Sequence, residues 1–306
     1  MGVTMRGAWD EFVRRSGLPI RDEAALIADA IAPEMARYGE LIQSPGGAPI
    51  GLMVRGDGEG FTDRAERLMR AWEMPEGAIA AYRALAEWLD HTNGFLKLEW
   101  HPTRDVDGYG RLIAYYFRRR PPVGEVVDYL GGQGVAPEIL ARVVEFADLL
   151  EKRSIHFVAA AMRPGRELRH KLYFSQYLTP ERAGAVETRL DEAMARFGVG
   201  SASRDLLAYH HRKLAPPERT STLFASVSFT VAAMVPGLKL DYPEVAPETA
   251  AALLPETERS GAEAEMRGLC AVVGLDRLSY LGVTLHPDRP PGLKYYADVM
   301  GTEETR

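Results

Sequence analysis

One arrangement recurs along this chain and limits what it can become. Two stretches with helical spacing are followed by two β-rich runs split by Gly or Pro, and then the order repeats. The paired runs are 95–102 with 111–120, 155–162 with 169–177, 221–231 with 237–245, and 278–287 with 292–300. Turn-forming links between the members of a pair are a hairpin signal. A fifth pair, 39–44 with 48–56 around "PGG", stands in front of them. Helical patterns at 8–16 and 22–38 precede that first pair. Those at 62–74 and 75–93, 122–132 and 136–153, 179–198 and 203–215, and 247–254 and 258–275 precede the others. Apolar residues three or four apart mark the helices, with Thr62 and Thr179 as N-caps and Pro75 and Pro180 as first-turn prolines. The result is five units of two helices and a hairpin, repeating at roughly 55–65 residues in architecture but not in sequence.

Five hairpins make ten antiparallel strands. A sheet that wide tends to curl, and closing it removes both exposed edges. The run "RHKLYFSQY" at 169–177 shows which face goes where. Side chains alternate across a strand, so Lys171, Tyr173, Ser175 and Tyr177 share one face, and His170, Leu172, Phe174 and Gln176 the other. The oily faces here, at Leu96, Leu98 and Trp100, and at Leu238 and Leu240, can cover the apolar stripes of the helices. The expected fold is therefore α/β: a ten-stranded antiparallel β-barrel surrounded by α-helices, five ααββ repeats, one domain over 1–306. Its polar strand faces would line the lumen. An open sheet with helices on one side and solvated lysines is the alternative.

On this register the inward residues include Lys97, Glu99 and His101; Arg111, Ile113 and Tyr115; Lys171, Tyr173, Ser175 and Tyr177; Lys239 and Asp241; Tyr280, Gly282, Thr284 and His286; and Lys294, Tyr296 and Asp298. The second strand of each hairpin carries a cation: Arg55, Arg111, Lys171, Lys239 and Lys294. Buried cations are costly unless paired. Five at equivalent places point to an anion, although Glu99, Asp241 and Asp298 are available as internal partners. Tyrosine ring faces attract cations. Cations beside a wall of Tyr suit an allylic diphosphate, which ionises to a carbocation and pyrophosphate. Lys and Arg stabilise the charge on the leaving group, and a carboxylate such as Glu99 can orient or deprotonate an acceptor.

The helix-helix-strand-strand order, with the strands "HKLYF" and "GLKYY", resembles the aromatic prenyltransferases of the αββα (ABBA, PT-barrel) superfamily. These are the soluble enzymes of bacterial secondary metabolism, their fungal indole relatives and the cyanobactin peptide prenyltransferases. The resemblance covers nearly the whole chain, by pattern rather than by a strict motif. It implies that Lys171, Lys239 and Lys294, with Arg55 and Arg111, hold the diphosphate. It implies that Tyr173 and Tyr296 shield the allyl cation, and the inward register adds Tyr115 and Tyr177 to them. In the fungal indole enzymes an early-strand Glu contacts the acceptor and an Arg follows on the next strand, the relation in which Glu99 and Arg111 stand. The chain departs from the pattern at "GLKLDY", where Asp241 occupies a place suited to Tyr and Tyr242 should point outward.

The implied reaction moves a dimethylallyl or geranyl group onto an electron-rich aromatic small molecule of indole or phenol type. A side chain of a ribosomal peptide is the nearer alternative acceptor. A non-catalytic barrel that binds an anionic small molecule is the alternative from another class. No cofactor is required on this reading. The chain has no Asp-Asp pair and hence no DDxxD magnesium clamp. Magnesium stays open without a confident ligand, Asp57 in "RGDGEG" being read as a turn residue.

Other features are read as structural. "GGQG" at 131–134 follows a helix and serves as its C-terminal turn. "HHRK" at 210–213 is read as a solvated helix end, and "FRRRPP" at 117–122 as a strand end at the barrel rim. Cys270, the one cysteine, sits among apolar neighbours as a buried thiol. The net charge of −6 disfavours a general nucleic-acid binder. The N-terminus lacks a signal-peptide core and no apolar run is long enough to span a bilayer, so a soluble cytoplasmic protein without membrane partners is expected.

Overall fold

Alternation along the strands decides the layers. The computed structural model describes residues 4–36, 38–47, 49–91, 94–102, 109–117, 120–216 and 220–300. The hairpin link at 103–108, and Arg118 and Arg119 of the basic run, lie outside the described residues. The first unit comprises α1 (Met5–Ser16), α2 (Arg21–Ala30), a single turn α3 (Ala32–Met35), β1 (Tyr38–Gln43) and β2 (Ile50–Gly56). The second is α4 (Gly58–Ala71), α5 (Glu76–Trp88), β3 (Gly94–Pro102) and β4 (Tyr109–Phe117). The third is α6 (Val123–Gly132), α7 (Pro137–Leu149), β5 (Phe157–Met162) and β6 (Arg169–Leu178). The fourth is α8 (Ala183–Arg196), α9 (Ser201–Leu214), β7 (Ser221–Phe229) and β8 (Leu238–Val245). The fifth is α10 (Pro247–Ala251), α11 (Glu256–Val273), β9 (Leu278–Leu285) and β10 (Gly292–Met300).

All neighbouring strands pair antiparallel, and β10 returns to pair with β1, so the ten strands form a closed barrel. One register runs round it. Glu40 lies opposite Asp298 and Met53, Gly51 opposite Glu99, Tyr173 opposite Phe157 and Ser226, and Gly282 opposite Asp241 and Lys294. Residues opposite one another share a face, which fixes the lumen side of every strand.

The outward faces make the core with the helices. Trp100 stacks on Trp9 of α1 at 5.5 Å and meets Trp72, which follows α4, edge-on at 5.2 Å. Phe174 packs on Phe146 of α7 at 5.4 Å. Each such side chain contributes about 1.5–3 kcal/mol by leaving water. Tyr242 points outward as expected, fully buried, sharing a 3.0 Å hydrogen bond with His211 Nδ1 of α9.

Three expectations are corrected. On β4 the register is offset by one residue, because Glu99 pairs with Leu112 and Lys97 with Ala114. Arg111 and Tyr115 therefore face outward. The Arg111 guanidinium bonds Glu23 of α2 at 2.9 Å and lies 6.0 Å from the Trp72 ring, so its stem covers apolar surface while its head reaches an acid. Tyr115 is 1% exposed and packs on Tyr82 of α5 at 4.5 Å. His210 and His211 are buried rather than solvated. Thr62 and Thr179 are not N-caps: Thr62 lies inside α4, 3.0 Å from His91 Nδ1, and Thr179 bonds Glu181 before α8 begins. Cys270 is buried on α11. No helix among the described residues is long and apolar enough to cross a membrane.

Candidate active site

A cavity of about 580 Å³ opens into one half of the lumen, at the end where β1, β3 and β5 begin. That volume falls in the range of small-molecule sites. Its floor is formed by Tyr173 of β6, Lys239 of β8 and Tyr296 of β10. Arg55, Tyr177, Thr222 and Arg120 stand at its mouth.

Lys171 and Tyr173 come from the strand whose alternation was plainest. The Lys171 ammonium lies 4.9 Å from the Tyr173 ring centroid. Burial pushes Lys171 well below the usual ammonium value, and Lys239 pushes it further. Lys239 repeats the arrangement on the facing strands: its ammonium is 5.0 Å from the Tyr296 ring centroid and donates to the Tyr296 hydroxyl at 3.0 Å. It also pairs with Asp241, two residues along the same face. Gly282 makes room for that pair. A Cβ there would come within 2.6 Å of Lys239 Cε and 2.9 Å of Asp241 Oδ1.

Below the floor lies a second ionic group. Glu99 is fully buried, and its carboxylate accepts from Lys294 at 2.6 Å, with Lys97 at 3.1 Å and His101 Nε2 at 2.9 Å. Burial by itself would raise Glu99. Lys294, Lys97 and His101 outweigh it and hold the carboxyl well below the usual range. Burial lowers Lys294 to about 8, although Glu99 works against it. Gly51 leaves the space for Glu99, since a Cβ there would meet Glu99 Cγ at 2.8 Å and the Leu98 carbonyl at 2.4 Å. Glu99 does not line the cavity in this arrangement. Its carboxylate holds Lys294 and His101 in place.

The structure thus brings together Lys171, Lys239, Lys294, Tyr173, Tyr296 and Glu99, and leaves Arg111 and Tyr115 outside the barrel. Arg55 faces the lumen, but at the mouth, two residues beyond the Met53–Glu40 pair. Tyr177 is there too, 55% exposed. Sequence reasoning placed Tyr280 inward but missed the rest of an aromatic girdle drawn from the odd-numbered strands. Tyr38, Phe95, Phe157, Phe224 and Tyr280 follow one another at 6.1, 5.9, 5.6 and 6.0 Å between centroids. It also missed Glu40. The signal was the alternation in "YGEL", in the strand pair that was hardest to recognise. Among the described residues no group of three His, Cys, Asp or Glu is arranged to hold a metal ion.

No protein-family model matches the chain, and no curated protein matches it. Solved structures do match over the full barrel. The chain is similar to 5-dimethylallyl tryptophan synthase from Streptomyces coelicolor, in complex with DMASPP and Trp. The TM-score is 0.62 and the identity 17%, covering 100% of this chain and 97% of that one. It is similar to AnaPT from Neosartorya fischeri, with a TM-score of 0.64 and 11% identity over 98% of this chain and 95% of that one. It is similar to the NotF prenyltransferase, with a TM-score of 0.66 and 11% identity over 96% and 93%. What is shared at these identities is the fold: the ten-stranded barrel inside a shell of helices, as the repeat of helix pairs and hairpins implied.

Proposed function

We propose that this barrel is an aromatic prenyltransferase, moving a dimethylallyl or geranyl group from its diphosphate to an electron-rich aromatic acceptor. The observation that carries the reading is the convergence of Lys171, Lys239 and Lys294 with the ring faces of Tyr173 and Tyr296 beneath one cavity. The solved structures of like fold, one of them bound to DMASPP and Trp, support it.

In this reading the three lysines take the diphosphate. Lys171 and Lys294, held low by burial, regain full charge beside the anion. As the carbon–oxygen bond breaks, negative charge grows on the leaving group where these donors are fixed, the condition under which electrostatic stabilisation is strongest. Tyr173 and Tyr296 face the allyl cation and keep water from it. Arg55 meets incoming diphosphate at the mouth, and Tyr177 closes that side of the rim. The acceptor ring lies within the aromatic girdle. No step is assigned to a metal. The substrates are diffusible, as expected of a cytoplasmic enzyme of secondary metabolism.

The exposure of Tyr177 at the mouth supports a second reading, in which the acceptor is an aromatic side chain of a peptide. One experiment tests both. The protein is incubated with each diphosphate and a panel of indoles, phenols and Tyr- or Trp-containing peptides, and products are weighed by mass spectrometry. A gain of one prenyl unit, falling by about 10²–10³ in Lys171→Ala, supports the proposal. The acceptor that reacts separates the two readings. Diphosphate bound but never cleaved would convert the protein to a binding barrel.

A further inference from the structure

Above the lysines the cavity changes sign. Glu40 and Asp298 face each other across the β1–β10 seam, and Asp241 joins them from β8. Tyr38 donates to Glu40 Oε1 at 2.6 Å. Asp241 lines the cavity with a side chain 9% exposed, and its Oδ2 is buried without a hydrogen-bond partner. Asp298 Oδ1 is buried and unpartnered as well. A buried carboxylate oxygen left unsatisfied is costly unless a donor or a cation reaches it. Of the groups that act on Glu40, Lys239 is the one cation, and it is already paired with Asp241. The phenols of Tyr38 and Tyr280 lie beside the cluster, Ser279 and Tyr38 act on the Asp298 carboxyl, and Arg55 and Arg120 line the same cavity nearer the rim.

The girdle surrounds this cluster with ring faces, which favour a cation on electrostatic grounds. It also offers a flat apolar slot for an aromatic ring. A cavity with Lys239 on its floor, Lys171 and Lys294 beneath it and carboxylates on its upper wall separates two substrates by charge.

We propose that the cavity recognises its acceptor by a cationic nitrogen, an ammonium on a short chain from the aromatic ring, seated among Glu40, Asp298 and Asp241. The acceptor class is an arylalkylamine without a carboxylate of its own, because a carboxylate on that chain would meet Glu40 and Asp298 with like charge. This inference rests on the prenyl-transfer reading for the fate of the ring, but not for the binding of the amine. The protonation of the empty site agrees with it. Burial, with Asp298 beside it, lifts Glu40 well above the usual carboxyl range, and burial lifts Asp298 to about 6. An ammonium arriving there displaces those protons.

Calorimetry and kinetics test the two claims separately. Tryptamine, 3-ethylindole and indole-3-propionate share a ring and differ in charge. Titrated into the protein without diphosphate, tryptamine is expected to bind at least tenfold more tightly than either, and to lose that advantage in Asp298→Asn and in Glu40→Gln. Circular dichroism identifies any variant that fails to fold, and the other variant then decides. Equal binding of the three, tighter binding of the propionate, or a preference surviving in both variants would overturn the proposal. With dimethylallyl diphosphate added, kcat/KM for prenylation should follow the same order. If tryptamine binds as expected and nothing is prenylated, prenyl transfer fails and the amine site stands. If 3-ethylindole is prenylated as well as tryptamine, the amine site fails and prenyl transfer stands.

Discussion

The floor and the mouth of the cavity are built on the same strands and respond to burial in opposite directions. At and beneath the floor the excess is positive. Burial holds Lys171 well below its ordinary value, and Lys294 falls to about 8. Toward the mouth, inside the Arg55 and Arg120 of the rim, the carboxyl groups of Glu40, Asp298 and Asp241 gather, and burial lifts Glu40 and Asp298. Neither set is fully neutralised from within. Glu99 compensates Lys97 and Lys294, and Asp241 compensates Lys239, but Lys171 rests on a tyrosine ring and Asp298 keeps an oxygen without a partner. A structure optimised for stability alone would have avoided both imbalances. Two ligands of opposite charge, one at each level, would resolve them together.

The Lys239–Asp241 pair joins the two levels, so Gly282, which makes space for it, is the place to break both. Gly282→Ala puts a methyl group against the pair and is expected to lower kcat/KM by at least about tenfold, while overpacking costs about 1–3 kcal/mol of stability. Gly77→Ala on α5, where a Cβ meets nothing within 4 Å, is the matched control and leaves both unchanged. An unaltered Gly282→Ala enzyme would mean that the two levels are independent.

The mouth alone is tested by pH. The carboxyl of Asp298 titrates at about 6 when folded and near 3.8 when unfolded. The folded protein therefore binds the extra proton between these values. The stability this gives is complete below pH 3.8 and is lost as pH rises through about 6. Asp298→Asn should remove that dependence and stabilise the protein near pH 7.5 by on the order of 2 kcal/mol, read from urea midpoints. A destabilised variant would mean that the carboxylate is satisfied after all.

A third test sets the levels against each other. Binding of a diphosphate analogue near pH 8 should take up protons as Lys171 and Lys294 recharge, whereas binding of tryptamine near pH 6 should release them from Asp298. Calorimetry in two buffers of different ionisation enthalpy reads the sign of each. The same sign for both ligands would end the comparison. The smallest effect belongs to Arg111. Arg111→Ala breaks a partly exposed pair with Glu23 worth about 0.2–1 kcal/mol and should leave kcat/KM within about twofold. A larger loss of activity would put Arg111 back in the lumen.

The barrel was legible because the order of elements recurs and β6 alternates cleanly between Lys171, Tyr173, Ser175 and Leu172, Phe174. β4 was misread for an equally physical reason. Arg111 and Ile113 share one face and Leu112 and Ala114 the other, so neither is plainly polar, and the charge at the strand end decided wrongly. Only the helices that supply Glu23 and Trp72 show where Arg111 goes. Phe95, Phe157 and Phe224 carried no lumen signal in sequence, since a phenylalanine facing a lumen has the same local pattern as one facing a helix. Pairing of Glu99 with Lys294 depends on barrel closure and has no local signature.

That closure also has a temporal side. The mouth is assembled across the seam where β1 meets β10, so Glu40 and Asp298 belong to the two ends of the polypeptide. Contacts so far apart in sequence carry the largest chain-entropy cost, and such contacts slow folding. Like-charged carboxyls at that seam oppose the last strand as it docks. A bound ammonium, bridging first strand to last, would act as a clasp and slow the reopening of the barrel.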